Sequence, residues 1–129
     1  MATVDTIMSR NLLTTEPGER LQDAAHRMVE RRVGAILVLD GERLAGILTE
    51  RDVLRAVGTG YDPASRVSDW MTRNPETIEP GDTIDDALGL MNHGGFRHLP
   101  VTEGERLVGI ISVRDLLRAG VQDATPRGV

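Results

Sequence analysis

The chain has 129 residues, no cysteine and a formal net charge of −5. This length is typical of one compact domain. The acidic balance argues against a nucleic-acid-binding protein, which needs clustered Lys and Arg, and the lack of cysteine excludes disulfides, thiolate metal sites and a thiol nucleophile. Because Tyr61, Trp70 and Phe96 are the only aromatic residues, we expect an aliphatic core.

The N-terminus carries neither the basic start nor the apolar stretch of a signal peptide. The longest uninterrupted apolar run, residues 35–39, is far too short to span a bilayer. We therefore expect a cytoplasmic protein that contacts no membrane.

The sequence contains an internal repeat. When it is shifted against itself by 63 positions, residues 4–57 align with residues 67–120 without a gap, and 23 of the 54 positions are identical. Such an internal duplication predicts two copies of one supersecondary structure. The predicted organisation is repeat 1 at 4–57, a Gly-rich linker at 58–66, repeat 2 at 67–120 and a C-terminal tail at 121–129.

Each repeat reads as strand, helix, strand, strand, helix. In the first copy, a short extended piece precedes a stretch with helical spacing of apolar residues, two β-rich segments flank an Asp-Gly turn, and a final helix follows. These elements are predicted at residues 12–15, 21–29, 35–39, 43–48 and 50–57. In the second copy the extended piece is predicted at 76–78, the first helix begins at Ile84 and ends near Gly94 and Gly95, and the final helix covers 113–120.

The predicted fold is therefore α/β (α+β), with two β-α-β-β-α repeats. Each repeat alone would leave an apolar sheet face and an apolar helix stripe in contact with water. We expect the two repeats to pack on one another by pseudo-twofold symmetry into one module, with the functional site between them.

A hydroxyl and a carboxylate recur three residues apart where the final helix of each repeat begins. They are Thr49 and Asp52 in the first copy, and Ser112 and Asp115 in the second. A carboxylate can accept both hydroxyls of a ribose, while a hydroxyl at a helix N-terminus suits a phosphate. The same spacing is also that of a capping box, which only starts a helix. Both roles are compatible.

The repeat order and these motifs resemble the tandem pair of cystathionine-beta-synthase (CBS) type domains, also called a Bateman module. The resemblance covers nearly the whole chain, from about Val4 to Gly120, and its hallmark occurs twice, at residues 46–52 and 109–115. It implies a stand-alone, non-catalytic regulatory module that binds an adenosine-type ligand. In nucleotide-binding relatives, the Asp holds the ribose and the Thr or Ser contacts ribose or phosphate.

The resemblance also implies that each site combines residues of both repeats. In relatives that bind phosphorylated adenosines, a basic pair before the Leu-Pro-Val strand reaches the phosphates, and Arg97 and His98 match that pair, whereas the first copy has Gly34 and Ala35 there. The preferred ligand site is predicted to consist of Leu13, Val33, Gly34, Ala35, Arg97, His98, Ser112 and Asp115. A second, weaker site is predicted at Thr49, Asp52, Met71 and Glu76.

Other kinds of site fit the sequence poorly. The three histidines, His26, His93 and His98, lack paired metal-ligand spacing, so we expect no metal, and we place His26 on a helix surface. The short Gly-rich run at 58–60 follows a helix rather than a strand, so it is no dinucleotide fingerprint.

Two functions follow from the sequence. The first is a sensor that binds AMP, ADP or ATP, with S-adenosylmethionine or NAD as further possibilities, and passes a conformational change to an unidentified effector protein. The second is a ligand-free module for homodimerisation and assembly. A homodimer is implied in both cases, and no cofactor is required.

Overall fold

A computed structural model describes residues 2–120 of the chain. They fall into two compact units. The first unit consists of residues 12–75, and the second combines residues 76–120 with the N-terminal segment 2–11. The predicted tail, residues 121–129, lies outside the described residues.

The first unit contains four strands and three helices. In chain order they are β1 (Thr14–Thr15), α1 (Leu21–Arg31), β2 (Ala35–Asp40), β3 (Arg43–Thr49), α2 (Glu50–Gly58), α3 (Val67–Trp70) and β4 (Thr72–Arg73). The strands form one sheet in the order β1-β2-β3-β4, in which β1 is parallel to β2 and the other neighbours are antiparallel. The predicted β-α-β-β-α order is confirmed here, and α3 and β4 are additional.

The second unit repeats this plan with a reduced sheet. A 3-10 turn (Val4–Thr6) is followed by α4 (Ile84–Gly94), β5 (His98–Glu103), β6 (Arg106–Ser112) and α5 (Val113–Arg118). The antiparallel pair β5 and β6 forms its sheet. The piece predicted to be extended at 76–78 makes a single parallel bridge, between Ile78 and Val101.

A proline explains why the first strand of the second unit is reduced. In the first unit, the Leu37 backbone N–H donates to the Leu13 carbonyl at 3.0 Å. The repeat-equivalent of Leu37 is Pro100, which has no N–H to donate. The bond that would extend the pairing towards Glu76 therefore cannot form.

Glycines with positive φ occupy three predicted turns. Gly41 (φ 65°) lies in the turn between the paired residues Asp40 and Arg43, and Gly104 (φ 62°) holds the same position in the second hairpin. Gly95 (φ 72°) follows α4 as its left-handed cap. The predicted hairpin turns and the predicted end of α4 are confirmed.

Each unit combines the body of one repeat with the opening residues of the other. The segment around Met71, which opens repeat 2 in the sequence, packs with the residues of repeat 1, and Met8 packs with the residues of repeat 2. The boundaries of the sequence repeats remain predictions, because a compact unit and a sequence repeat are different divisions of the chain.

The core of each unit is aliphatic, as predicted. Small side chains on the first helix of the repeat let that helix approach the sheet, and Val, Ile, Leu and Met side chains fill the space between them. The buried cluster of the first unit consists of Leu21, Ala24, Met28, Ile36, Val38, Leu48, Ala56, Val67 and Met71. That of the second consists of Val4, Met8, Ile78, Ile84, Ala87, Met91, Leu99, Val101, Ile111, Val113 and Leu116.

A close backbone approach explains the glycine in each of the two repeated motifs. A Cβ atom added at Gly46 would lie 2.7 Å from the Thr72 carbonyl oxygen and 2.9 Å from the Met71 sulfur. At Gly109 it would lie 2.6 Å from the Met8 sulfur. The opening segment of one repeat can therefore lie against the strand of the other only where that strand has no side chain.

Gly46→Ala is expected to lower the free energy of unfolding by about 1–3 kcal/mol, because the methyl group would force the Thr72 backbone away. Gly89 is the matched control, since it lies on the exposed side of α4 with nothing within 4 Å of its added Cβ. Gly89→Ala should raise the free energy of unfolding by about 0.5–1 kcal/mol. Urea denaturation followed by circular dichroism measures both; a Gly46→Ala protein as stable as the wild type would contradict the close approach.

Candidate functional site

A capping box starts α2 at the end of β3. The Thr49 backbone N–H donates to Oδ2 of Asp52 at 2.9 Å, and the Asp52 backbone N–H donates to Oγ1 of Thr49 at 3.3 Å. The Thr49 hydroxyl also donates to Oδ2 of Asp52, at 3.0 Å. The capping role considered from the sequence is confirmed.

The second repeat has the same geometry at the junction of β6 and α5. The Ser112 N–H and hydroxyl donate to Oδ2 of Asp115 at 2.8 Å and 3.0 Å, and the Asp115 N–H donates to Oγ of Ser112 at 3.2 Å. The distances agree with those of the first repeat to within 0.1 Å. The two candidate carboxylates are thus fixed by the same local chemistry.

These bonds decide which atoms are left for a ligand. Each hydroxyl directs its single proton to a carboxylate of its own repeat, and Oδ2 of that carboxylate accepts two bonds. The second carboxylate oxygen, Oδ1, takes no part in the capping box. Among the described residues, Oδ1 of Asp115 accepts no hydrogen bond from the protein. A carboxylate oxygen accepts a hydroxyl in a strong, charge-assisted bond, so ribose is a suitable partner for this atom.

The residue before the first long strand of each repeat lies beside this carboxylate. The Gly34 carbonyl accepts from the Glu50 N–H at 2.9 Å, and the Arg97 carbonyl accepts from the Val113 N–H at 3.0 Å. Across the sheets, Ala35 pairs with Thr49 and His98 pairs with Ser112. Backbone pairing therefore holds the residues around 34 and 97 next to the helix starts of their own units.

The two units differ at this position, as the sequence predicts. Arg97 is half-buried, and among the described residues its guanidinium forms neither a hydrogen bond nor an ion pair, so its charge is available to an anion. Gly34 offers only backbone groups at the corresponding place. His98 is also half-buried.

The residues predicted for the ligand sites fall into two sets. The second unit holds Arg97, His98, Ser112 and Asp115 of the preferred site, and the first unit holds Leu13, Val33, Gly34 and Ala35. Of the weaker site, the first unit holds Thr49, Asp52 and Met71, and the second holds Glu76. Within each unit the residues are brought together; the assembly of a site from both units remains a prediction.

Burial distinguishes the members of these sets. Asp52 is 5% exposed, whereas Asp115 is half-buried. Met71 is buried in the first core, with its sulfur against Gly46. Glu76 and Val33 are exposed, Leu13 and Gly34 are half-buried, and Ala35 is buried.

Two residues near Asp52 were not predicted from the sequence: an arginine that contacts this carboxylate and a tryptophan that contacts the arginine. The Arg55 guanidinium lies 3.5 Å from Oδ1 of Asp52, donates to the Trp70 carbonyl at 3.3 Å and lies 5.8 Å from the centre of the Trp70 ring. The contact of Arg55 with Asp52 could have been predicted from the sequence, because residues three apart on a helix are neighbours. Trp70 lies 15 positions further on, and no periodicity relates it to Arg55.

A cavity of about 720 Å³ in the first unit is lined by Thr14, Thr15, Glu16, Gly18, Glu19, Arg27, Leu39 and Gly41, and none of these is a predicted site residue. Arg27 and Glu19 form an ion pair there, so each charge is already matched. No group of His, Asp and Glu suitable for a metal occurs among residues 2–120.

His26 lies on the exposed side of α1, as predicted, with its Nε2 3.0 Å from Glu30. No helix in the described part of the chain is long and apolar enough to cross a membrane.

A family model for the CBS domain matches this sequence twice, at residues 4–59 and 67–122. The chain belongs to the CBS domain family. Its mixed α/β fold with two CBS repeats is that of a Bateman module, which confirms the resemblance and the fold class inferred from the sequence.

Three relatives illustrate the relationship. The CBS domain-containing protein YhcV of Bacillus subtilis is 35% identical over 117 residues, which cover 90% of this CBS pair and 84% of the relative. A structure of a protein with CBS domains from Burkholderia ambifaria MC40-6 is 34% identical, with a TM-score of 0.88, and covers 99% of this chain and 100% of that one. The crystal structure of CBSX2 in complex with AMP is 27% identical, with a TM-score of 0.82, covering 95% and 98%.

Proposed function

We propose that this CBS pair is a non-catalytic regulatory module that binds one adenine nucleotide and transmits its binding to a partner protein. The observation that carries the proposal is the difference between the two carboxylates. Within residues 2–120, Oδ1 of Asp115 accepts no hydrogen bond and the Arg97 guanidinium of the same unit has no partner, whereas Oδ1 of Asp52 faces Arg55. The AMP complex of a relative with the same fold supports an adenosine ligand.

The ligand is proposed to lie between the repeats. Asp115 would hold the ribose, Arg97 and His98 would face the phosphate, and Leu13, Val33, Gly34 and Ala35 would close around the base. A ligand that contacts both repeats binds one relative arrangement of them better than others, and it shifts the population towards that arrangement. This shift is the proposed signal to a separate effector, and its setting is the cytoplasm.

The energy required is modest. A micromolar site needs about 8 kcal/mol of binding free energy. Hydrogen bonds to charged groups contribute roughly 1.5–3 kcal/mol each, so the ribose bonds on Asp115 and a phosphate contact on Arg97, with burial of the base, can supply it after the cost of ordering.

Asp115→Ala is expected to weaken AMP binding roughly 10- to 100-fold, because it removes the charged acceptor of the ribose hydroxyls. Asp52→Ala is the matched variant, since it breaks the same capping box in the other repeat and should change AMP affinity much less. Equilibrium dialysis with labelled AMP measures both. Equal losses in the two variants, or no loss in either, would contradict the proposed asymmetry.

Arg97→Gln is expected to weaken AMP binding about tenfold, since the guanidinium gives the phosphate a charge-assisted bond. Adenosine is the matched ligand because it lacks the phosphate, and its affinity should stay within about twofold of the wild-type value. Competition of AMP and adenosine against a fluorescent adenine nucleotide measures both affinities. If the affinity for adenosine fell as much as the affinity for AMP, Arg97 would not be the phosphate contact.

A second candidate function, homodimerisation and assembly without a ligand, is favoured by exposed apolar side chains. Leu54 and Val57 on α2 are 72% and 63% exposed, and Leu117 on α5, the repeat-equivalent of Leu54, is 49% exposed. Large exposed aliphatic groups on neighbouring turns of a helix are typical of an interaction surface. A homodimer through these helices is compatible with nucleotide binding.

Leu54→Glu is expected to shift the chain from dimer to monomer, because a dimer contact on α2 would have to bury the new charge. Thr77→Glu is the control, because it adds the same charge at an exposed polar residue outside the helices, and it should leave the mass unchanged. Sedimentation velocity measures the oligomeric state. A Leu54→Glu protein that stays dimeric would exclude α2 from the interface.

A further inference from the structure

Arg55 is held in place by one residue from outside its own helix. Its Nη2 donates to the Trp70 carbonyl at 3.3 Å, and its guanidinium lies 5.8 Å from the centre of the Trp70 ring. The ring attracts a cation over its face, and the carbonyl fixes the direction of the guanidinium. Trp70 thus restricts the positions that this charge can take.

This charge faces the carboxylate oxygen that a ligand would need. Oδ2 of Asp52 is already bound to Thr49, and Oδ1 lies 3.5 Å from Nη2 of Arg55. The Asp52 side chain is 8% exposed and that of Arg55 is 57% exposed. A ribose hydroxyl at Oδ1 would therefore compete with a cation of the same helix.

The second repeat keeps the arginine but lacks the partner that would hold it. The repeat-equivalent of Arg55 is Arg118, and that of Trp70 is Ile7, which has a backbone carbonyl but no aromatic face to attract a cation. Within residues 2–120, Arg118 forms no ion pair or hydrogen bond through its side chain, and Oδ1 of Asp115 stays open. The duplication thus supplies an internal comparison, and the replacement of Trp70 by Ile7 is one of the differences between the two repeats.

We propose that Arg55, positioned by Trp70, is an autoinhibitory contact that weakens ligand binding at Asp52 and so makes Asp115 the preferred carboxylate. This inference rests on the proposed nucleotide-binding function and adds a specificity-determining residue to it. Arg55 acts by occupying the acceptor, and Trp70 acts through Arg55.

The test uses chains that carry Asp115→Ala, in which the remaining AMP binding reports on the Asp52 side. Adding Arg55→Ala should tighten that binding about three- to tenfold, the range expected when an exposed ion pair and a cation–π contact are removed together. Adding Trp70→Ile, which installs the residue of the other repeat, should act in the same direction. Arg118→Ala is the matched control and should leave the affinity unchanged.

Unchanged or weaker AMP binding after Arg55→Ala would overturn the proposal, and weaker binding would show that Arg55 contacts the ligand. A wild-type chain that binds no AMP would instead overturn the proposed function.

The contact between Arg55 and Trp70 can be tested without ligand by fluorescence, because Trp70 is the only tryptophan in the chain. Arg55→Ala should shift its fluorescence to longer wavelength as the ring becomes more hydrated, while Arg118→Ala should not; no shift would contradict the contact.

Discussion

A carboxylate that caps the final helix of each repeat is the interaction on which the site depends. Its Oδ2 atom accepts from the N–H and the hydroxyl of the residue three positions earlier, and this joins the end of a strand to the start of a helix. Because that oxygen is committed to the fold, the side chain cannot rotate freely. The other oxygen is thereby held in a defined position, which would preorganise it as the proposed acceptor of a ribose hydroxyl.

The duplication makes the remaining differences informative. The two capping boxes have nearly the same distances, so the different character of the two carboxylates comes from their neighbours. Arg55 stands at Asp52, while Asp115 shares its unit with the uncommitted guanidinium of Arg97. We propose that these differences between neighbouring side chains make Asp115 the stronger of the two binding positions.

Local chemistry made much of this structure predictable from the sequence. The helices, hairpins and capping boxes depend on residues within four positions of one another, such as Thr49 with Asp52, and they were found. Contacts between distant segments were not predicted. The packing of Met71 against Gly46 and of Trp70 against Arg55 depends on which segments pack together, and residue spacing does not reveal that. The effect of Pro100 lies between these two cases. Its position in a strand shows from the sequence that one backbone N–H donor is missing, but not which segment would have accepted the hydrogen bond.

We propose that one adenine nucleotide binds per chain, with Asp115 as its ribose acceptor. Titration calorimetry of the wild-type chain with AMP, ADP, ATP, S-adenosylmethionine and NAD tests it most directly, because it records affinity and stoichiometry together. We expect micromolar binding of a phosphorylated adenosine at close to one per chain. No binding across the panel would contradict nucleotide sensing and favour the assembly module, and two equal sites per chain would contradict the asymmetry.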